Sequence, residues 1–176
     1  GAAIVMDVRN GQILALASYP TFDPNAFERG LSVKQARDLF SEKTGVPALN
    51  RALQGLYAPA STFKAVSLVA AKDAGYDLTK SYACPAEVQI GTRAYQNFES
   101  KAQGTLSMKR AMAISCDTIW YQIAYDEWVR DGGLRPKSNA NDYFYNAAKR
   151  FQIGVKTKID LPSESQGRLA DRQWRK

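Results

Sequence analysis

The run Ser61-Thr62-Phe63-Lys64 holds the two residues whose types and spacing best suit nucleophilic chemistry. Residues three positions apart lie on the same face of a helix, and this pair stands at a predicted helix N-terminus. A serine hydroxyl becomes a nucleophile when an adjacent base takes its proton, and a lysine can be that base. Backbone N–H groups at the helix N-terminus would also favour a developing oxyanion. We therefore expect Ser61 and Lys64 to lie together, with the Lys64 ammonium within hydrogen-bond reach of Ser61 Oγ or Ser115 Oγ. The alternative is a capping serine and a surface lysine.

A second pair, Ser115 and Asp117, lies between two predicted helices. It offers a further hydroxyl and an acceptor, which are the groups needed to relay a proton from Lys64 towards a leaving amine. The same residue types are also common helix caps, so both roles remain open for this pair.

Composition excludes several kinds of site. The 176 residues contain no histidine and two cysteines, Cys84 and Cys116. The absence of histidine excludes Ser-His-Asp and Cys-His sites and any zinc site built on imidazole. Two cysteines cannot form a four-cysteine metal cluster, and we expect them to be free thiols. No cofactor and no metal are expected.

The net charge of +7 permits attraction to nucleic acid, to anionic membrane or to wall polymer, but the basic residues are interspersed with acidic ones. Sequence motifs for nucleic-acid binding and glycine-rich phosphate loops do not occur in the sequence. We therefore expect no nucleic-acid partner and no nucleotide chemistry.

The elements that must hold these residues can be predicted from apolar spacing and turn residues. Asn10-Gly11 between two apolar runs predicts a β-hairpin of 2–8 with 12–18. Apolar residues at helical spacing, with caps, predict the helices. These are Ser32–Phe40, Thr62–Ala74, Ser107–Ile114, Thr118–Arg130 and Asp142–Gln152. The helix after Ser61 is apolar nearly all round and should lie in a core. Residues 76–104 are expected to be mostly irregular, apart from the alternating stretch Val88–Ile90.

Several linked motifs resemble one family. They are the opening run 1–7, which continues through Gly11–Pro24, and then Asn50–Lys64, Ser115–Thr118 and Gly154–Glu164. In this order they resemble the transpeptidase domain of class B penicillin-binding proteins, and the elongation-type members above all. Two departures are Ala58 and Ala60, which replace a more usual proline and glycine. Asp117 likewise stands where asparagine is commoner.

The resemblance implies an α+β fold of the serine D,D-transpeptidase and β-lactamase type, an antiparallel sheet flanked by a helical lobe. Only its N-terminal portion is expected here: the hairpin 2–18, a lobe of about 32–152 and an extended tail 153–176. The implied activity is peptidoglycan D,D-transpeptidation through an acyl-serine intermediate, inhibited by β-lactams. Ser61 would be the nucleophile and Lys64 its base, with Ser115 as proton shuttle and Asp117 completing the Ser-x-Asp motif.

The family's third motif, Lys-Thr/Ser-Gly, is not matched by Lys156-Thr157-Lys158, which lacks the glycine. We assign that triplet to a different family segment, matched here by Lys156–Pro162, and expect the catalytic motif downstream of Lys176. These 176 residues alone are thus expected not to form a competent enzyme, and a second polypeptide segment with the motif is an expected partner.

The resemblance also implies stem peptides as substrates, and wall-elongation proteins as partners of the full-length form. It implies a place on the extracytoplasmic face of the bacterial plasma membrane, in the cell envelope, with an N-terminal anchor outside these residues. Two alternatives remain. A class D-like β-lactamase or a β-lactam sensor domain would share the motif around Ser61, and a non-catalytic cell-wall scaffold would share the fold.

Overall fold

The structure is a computed structural model that describes residues 1–172 and residue 174. The chain divides into two compact units. The first contains residues 1–58 and 155–167, and the second contains residues 59–154 together with the described residues from Arg168 on. All four predicted site residues belong to the second unit.

The first unit begins with the predicted β-hairpin. Strand β1 (Ala2–Met6) pairs antiparallel with β2 (Ile13–Ser18). Gly11 adopts the left-handed φ of +80° that the turn requires, and its N–H donates to the Asp7 carbonyl at 2.8 Å. Within the described residues this sheet has two strands, and apolar side chains on both, including Ile4, Val5 and Leu14, are at least half exposed.

Short helices complete the first unit: α1 (Asn25–Glu28), α2 (Val33–Phe40) and α3 (Arg51–Gln54), with a 3₁₀ turn at Glu42–Thr44. The predicted cap of α2 is present. Ser32 accepts from the Gln35 N–H, and the Gln35 side chain accepts from the Ser32 N–H, which is a capping box. Most of α2 is exposed, and Leu39 is its buried residue.

The triplet at residues 156–158 lies in an irregular segment of the first unit, outside any strand. Both carboxylate oxygens of Glu164 accept backbone bonds from it, one from Thr157 N (2.6 Å) and one from Lys158 N (3.2 Å). The side-chain hydrogen bond from Thr157, together with these backbone bonds, holds the pKa of the Glu164 carboxyl below its usual value. The segment is therefore a turn closed by a carboxylate.

The second unit contains the longer helices and, within its described residues, two antiparallel sheets of two strands each. Its elements are a 3₁₀ turn at Ala60–Phe63, α4 (Lys64–Asp73), β3 (Ser81–Cys84), β4 (Glu87–Ile90), β5 (Arg93–Gln96), a 3₁₀ turn at Phe98–Ser100, β6 (Gly104–Ser107), α5 (Met108–Ala113), α6 (Thr118–Arg130) and α7 (Tyr143–Arg150). The bounds of α6 are those predicted, and the predicted helix after Ser61 starts as a 3₁₀ turn before it becomes α4.

Two apolar clusters form the core of this unit. One joins α5 and α6 to β3: Ala71, Cys84, Met108, Ala111, Cys116, Ile119, Trp120 and Ile123. The other packs α4 against α7: Val66, Ala70, Ala147 and Ala148. Alanines at the α4–α7 contact allow the two helices to approach closely, as expected for an apolar helix within a core.

The prediction that residues 76–104 are mostly irregular is wrong. Strand β3 pairs with β6, and β4 forms a hairpin with β5. The partner of β3 begins about twenty residues further on, so no local turn signal marks that pair. The alternating stretch Val88–Ile90 is part of β4, the strand that sequence alternation did reveal.

The prediction of two free thiols is also wrong. Cys84 and Cys116 form a disulfide bond across 32 residues, with their Cα atoms 6.4 Å apart. Cys84 ends β3 and Cys116 follows α5, and the packing of both elements in one core brings them together. The spacing of two cysteines in a sequence does not reveal that packing brings them into contact.

Within the described part of the chain, no helix is both long and apolar enough to cross a bilayer.

Candidate active site

Lys64 is the first residue of α4, and its side chain is 10% exposed. Its ammonium group donates to the Ser115 carbonyl at 2.6 Å and to Ser115 Oγ at 2.8 Å. It also forms an ion pair with Asp117 Oδ1. Since a lysine ammonium has three N–H donors, these three acceptors satisfy it fully in the buried site. The surface-lysine alternative therefore does not hold.

Ser61 lies in the 3₁₀ turn that precedes α4, where its side chain is exposed. Its Oγ accepts a hydrogen bond from Ser115 Oγ at 3.0 Å. Ser61 does not cap the helix, since Pro59 is the N-cap residue and makes no side-chain capping bond. The Lys64 ammonium, the Ser115 hydroxyl and the Ser61 hydroxyl thus form a continuous hydrogen-bonded chain.

The backbone around Ser115 explains why this residue can offer two acceptors at once. Ser115 has a left-handed φ of +59° and directly follows the end of α5. Its N–H donates to the Met112 carbonyl (3.2 Å), and the Cys116 N–H donates to the Ala111 carbonyl (2.9 Å). These two bonds define a Schellman motif, in which glycine is usual at the left-handed position. The tight turn directs the carbonyl and hydroxyl of Ser115 to the same ammonium.

Asp117 is the N-cap residue of α6 by position, but its side chain makes no capping bond. The carboxylate instead pairs with Lys64, and its side chain is 23% exposed. Its backbone N–H donates to Asn97 Oδ1 at 2.9 Å. The helix-cap interpretation of Asp117 is therefore wrong, because the carboxylate is used for the lysine.

Tyr121 lies one turn along α6 from Asp117. Burial raises the pKa of the Tyr121 phenol, and the negative charge of Asp117 raises it further. Both effects favour the neutral form of the phenol.

The structure thus brings all four predicted residues together, and it adds one that the sequence did not suggest. Asn97 is buried and contacts the Asp117 backbone, yet it is a single asparagine after a short strand, far from the motifs in sequence. No pattern in the sequence distinguishes it. Within residues 1–172 and 174, no group of three His, Cys, Asp or Glu side chains is arranged to hold a metal ion.

Comparison with known proteins agrees with the fold. The penicillin-binding protein transpeptidase domain family matches residues 1–176. The chain is 34% identical over 178 residues to the peptidoglycan D,D-transpeptidase MrdA of Escherichia coli, which covers 99% of this chain. The chain therefore belongs to the penicillin-binding protein transpeptidase family.

Solved structures of penicillin-binding proteins have the same fold as this chain. Pseudomonas aeruginosa PBP2, solved in complex with WCK 5153, superposes with a TM-score of 0.80 at 29% identity, over 99% of this chain and 38% of that one. Helicobacter pylori PBP2, solved in complex with MreC, superposes with a TM-score of 0.82 at 25% identity, over 99% of this chain and 31% of that one. The expected α+β transpeptidase fold is confirmed.

The chain spans about a quarter of the length of its curated relative, 26% of MrdA. The activity of a whole protein of this family therefore also involves residues outside these 176.

Proposed function

We propose that the full-length protein is a peptidoglycan D,D-transpeptidase in which Ser61 is the acyl-accepting nucleophile. The observation that carries the proposal is the hydrogen-bonded chain from Lys64 through Ser115 to Ser61. It connects a nucleophile to a buried amine without a histidine, which this sequence lacks. Membership of the family and the name of the E. coli relative support the same reaction.

Acylation begins with attack of Ser61 Oγ on the carbonyl of the penultimate D-alanine of a stem peptide. Lys64 must first be in its neutral form, and the Ser61 proton then passes to it through the Ser115 hydroxyl, which gives up one proton as it takes another. The new Oγ–C bond forms, and the peptide C–N bond breaks. The proton returns along the same chain to the departing nitrogen, so that D-alanine leaves as a neutral amine group.

Deacylation reverses these roles. The amine of a neighbouring stem peptide attacks the acyl carbon and loses a proton to the Lys64–Ser115 pair. The Ser61 ester bond then breaks, Ser61 regains its proton, and a new peptide cross-link is formed. Asp117 balances the charge of Lys64 whenever the lysine holds the extra proton, which keeps the ammonium in place within each half-reaction.

β-Lactams would acylate the same serine, because their strained amide presents a carbonyl to the same nucleophile. We assign the Lys-Thr/Ser-Gly motif and part of the oxyanion site to a segment outside these 176 residues. The turn closed by Glu164 supports this assignment, because a substrate-binding strand needs free backbone groups and Glu164 already accepts the N–H groups of Thr157 and Lys158.

We place the protein at the extracytoplasmic face of the bacterial cell envelope, anchored by a segment outside this chain. The Cys84–Cys116 disulfide supports an oxidising compartment. Wall-elongation proteins are proposed as partners because H. pylori PBP2 has been solved in complex with MreC.

The test compares the full-length protein with its Ser61→Ala variant, using a lipid-free disaccharide-pentapeptide substrate and measuring D-alanine release and cross-linked dimer. The expected result is loss of both products in Ser61→Ala. Ser67→Ala is the matched control, because Ser67 is a buried serine on α4 whose hydroxyl bonds the Phe63 carbonyl at 3.2 Å. It should retain both products.

The two alternatives predict different outcomes. A β-lactamase would hydrolyse penicillin repeatedly and form no cross-linked dimer. A β-lactam sensor domain would keep the acyl-enzyme for a long time, as a transpeptidase does, but would form no cross-linked dimer. A scaffold protein would give neither D-alanine release nor an acyl-enzyme. Any of these results with the wild-type protein would contradict the proposal.

A further inference from the structure

We infer that Asn97 is a positioning residue of the active site, which orients Asp117 towards Lys64 by binding the Asp117 backbone N–H. The inference rests on the proposed function, since it concerns the efficiency of Ser61 acylation. Asn97 touches neither Ser61 nor Lys64 through any of its hydrogen bonds, so its effect would be indirect.

Asn97 directly follows β5 and is 6% exposed. Its Oδ1 accepts from the Asp117 N–H at 2.9 Å, and its Nδ2 donates to the Lys101 carbonyl at 2.9 Å and towards Cys84 Sγ at 3.4 Å. Its own N–H donates to the Ala86 carbonyl at 2.7 Å. The side-chain amide therefore uses both of its ends in a buried setting.

This pattern of bonds requires an amide. One end must accept a hydrogen bond from a backbone N–H, while the other must donate a hydrogen bond to a backbone carbonyl. Aspartate lacks the donor, serine is too short to bridge the two segments, and an aliphatic side chain leaves both backbone groups without partners. A buried asparagine with both ends used is the residue type that fits, and one of its partners, Cys84, belongs to the disulfide-linked core.

The hydrogen bond from the Asp117 N–H to Asn97 holds the backbone at a point where the Asp117 side chain could otherwise rotate away from Lys64. Asp117 stands between the Schellman turn at Ser115 and the first residue of α6, Thr118. Its N–H is one of the unpaired donors at a helix start, and such a donor normally attracts a nearby side-chain oxygen. With Asn97 in place the N–H is already bonded, and the Asp117 carboxylate remains free to pair with Lys64.

Without Asn97, we expect the Asp117 backbone to lose the bond that fixes it, so that its carboxylate can turn away from Lys64 towards the first-turn N–H groups of α6. The lysine would then lose its fixed counter-charge and its alignment on the Ser115 hydroxyl. Because the hydrogen bonds of Asn97 go to Asp117, Lys101 and Cys84 and not to Ser61, we expect the chemical step to suffer while the preceding non-covalent binding does not.

The experiment measures acylation of the full-length protein by benzylpenicillin, separating the acylation rate constant from the dissociation constant of the non-covalent complex. For Asn97→Ala we expect the rate constant to fall at least tenfold, with the dissociation constant within twofold of wild type. Melting temperature is measured in parallel. Asn97→Asp, which retains an oxygen that can accept from the Asp117 N–H but loses the donor, should recover at least part of the rate despite a lowered melting temperature.

Ile123→Val is the matched control for stability. Ile123 lies in the same core as Cys84 and Cys116 and is 2% exposed, but it makes no contribution to the Asp117 bond. At a comparable loss of melting temperature, its acylation rate constant should stay within twofold of wild type. If Asn97→Ala does not fold, Asn97→Ser takes its place, because its shorter side chain also releases the Asp117 N–H.

The inference is overturned if the Asn97 variants acylate at the wild-type rate, or if Ile123→Val slows as much as they do at the same loss of melting temperature. A wild-type protein that is not acylated at Ser61 would instead contradict the proposed function. The two failures are thus distinguishable in one set of measurements.

Discussion

Reduction of the Cys84–Cys116 disulfide is expected to destabilise the second unit strongly. The bond closes a loop of 32 residues. The loop-entropy relation gives a stabilisation of about 4 kcal/mol at 25 °C for a loop of this size. A difference of about 4 kcal/mol corresponds to roughly a thousandfold change in the opening equilibrium constant. Both sulfurs are buried, so reduction must be carried out on the unfolded protein before it is refolded with dithiothreitol.

The assay is hydrogen–deuterium exchange of the full-length protein, read in the peptides that contain α5 and α6. These helices flank Cys116, and their amides report on opening of the disulfide-linked core. Opening should be roughly a thousandfold more frequent in the reduced protein than in the oxidised one. A Cys84→Ala/Cys116→Ala variant is the control, because dithiothreitol should not change its exchange.

Equal exchange with and without dithiothreitol in the wild-type protein would refute this reasoning. It would mean either that the thiols are free, as the sequence alone suggested, or that the bond does not restrict the unfolded chain. Detection of the linked peptides after digestion without reductant separates these two explanations.

Three further predictions concern charged residues of the second unit. Lys64→Ala should slow penicillin acylation at least about a hundredfold, because the base is lost. Lys72 is an exposed lysine on the same helix, and Lys72→Ala should acylate at the wild-type rate. Equal labelling rates for the two variants would contradict the role of Lys64. Asp117→Asn should lower the free energy of unfolding by about 1–3 kcal/mol, because the lysine loses its counter-charge; urea unfolding that matches wild type would argue against this pair. Burial raises the pKa of the Glu127 carboxyl above its ordinary 4.5, so its contribution to stability is full below that value and is lost as pH rises through the higher folded-state pKa. Wild type should therefore lose stability relative to Glu127→Gln as pH increases over this window, and parallel stability curves would contradict it.

The parts of the structure set by local chemistry were predictable from sequence. Asn10-Gly11 marks a turn because glycine tolerates a left-handed φ, and the hairpin is present. The bounds of α6 agreed because apolar spacing and the glycines after Arg130 define them. The spacing of Ser61 and Lys64 predicted a Lys64 ammonium within hydrogen-bond reach of Ser61 Oγ or Ser115 Oγ, and the structure has the contact with Ser115 Oγ. The structure has a 3₁₀ turn at Ser61 and a path through Ser115.

The parts that depend on distant segments were not predictable. The disulfide joins residues 32 apart, and the Asn97–Asp117 bond joins residues 20 apart. In both cases the partners meet because β3, β5 and α6 pack around one core. Neither cysteine spacing nor a lone asparagine contains information on that packing. Asp117 was also not predictable from local sequence. Its position at a helix start indicates a cap, and the ion pair with Lys64 becomes visible only when the two segments are packed together.

The central claim is that Ser61 is the nucleophile, and mass-spectrometric mapping of the penicilloyl adduct tests it most directly. The full-length protein is incubated with benzylpenicillin, quenched and digested, and the modified peptide is sequenced. We predict a single adduct on Ser61 that persists for many minutes after free penicillin is removed. An adduct on another residue, or none on Ser61, would contradict the account.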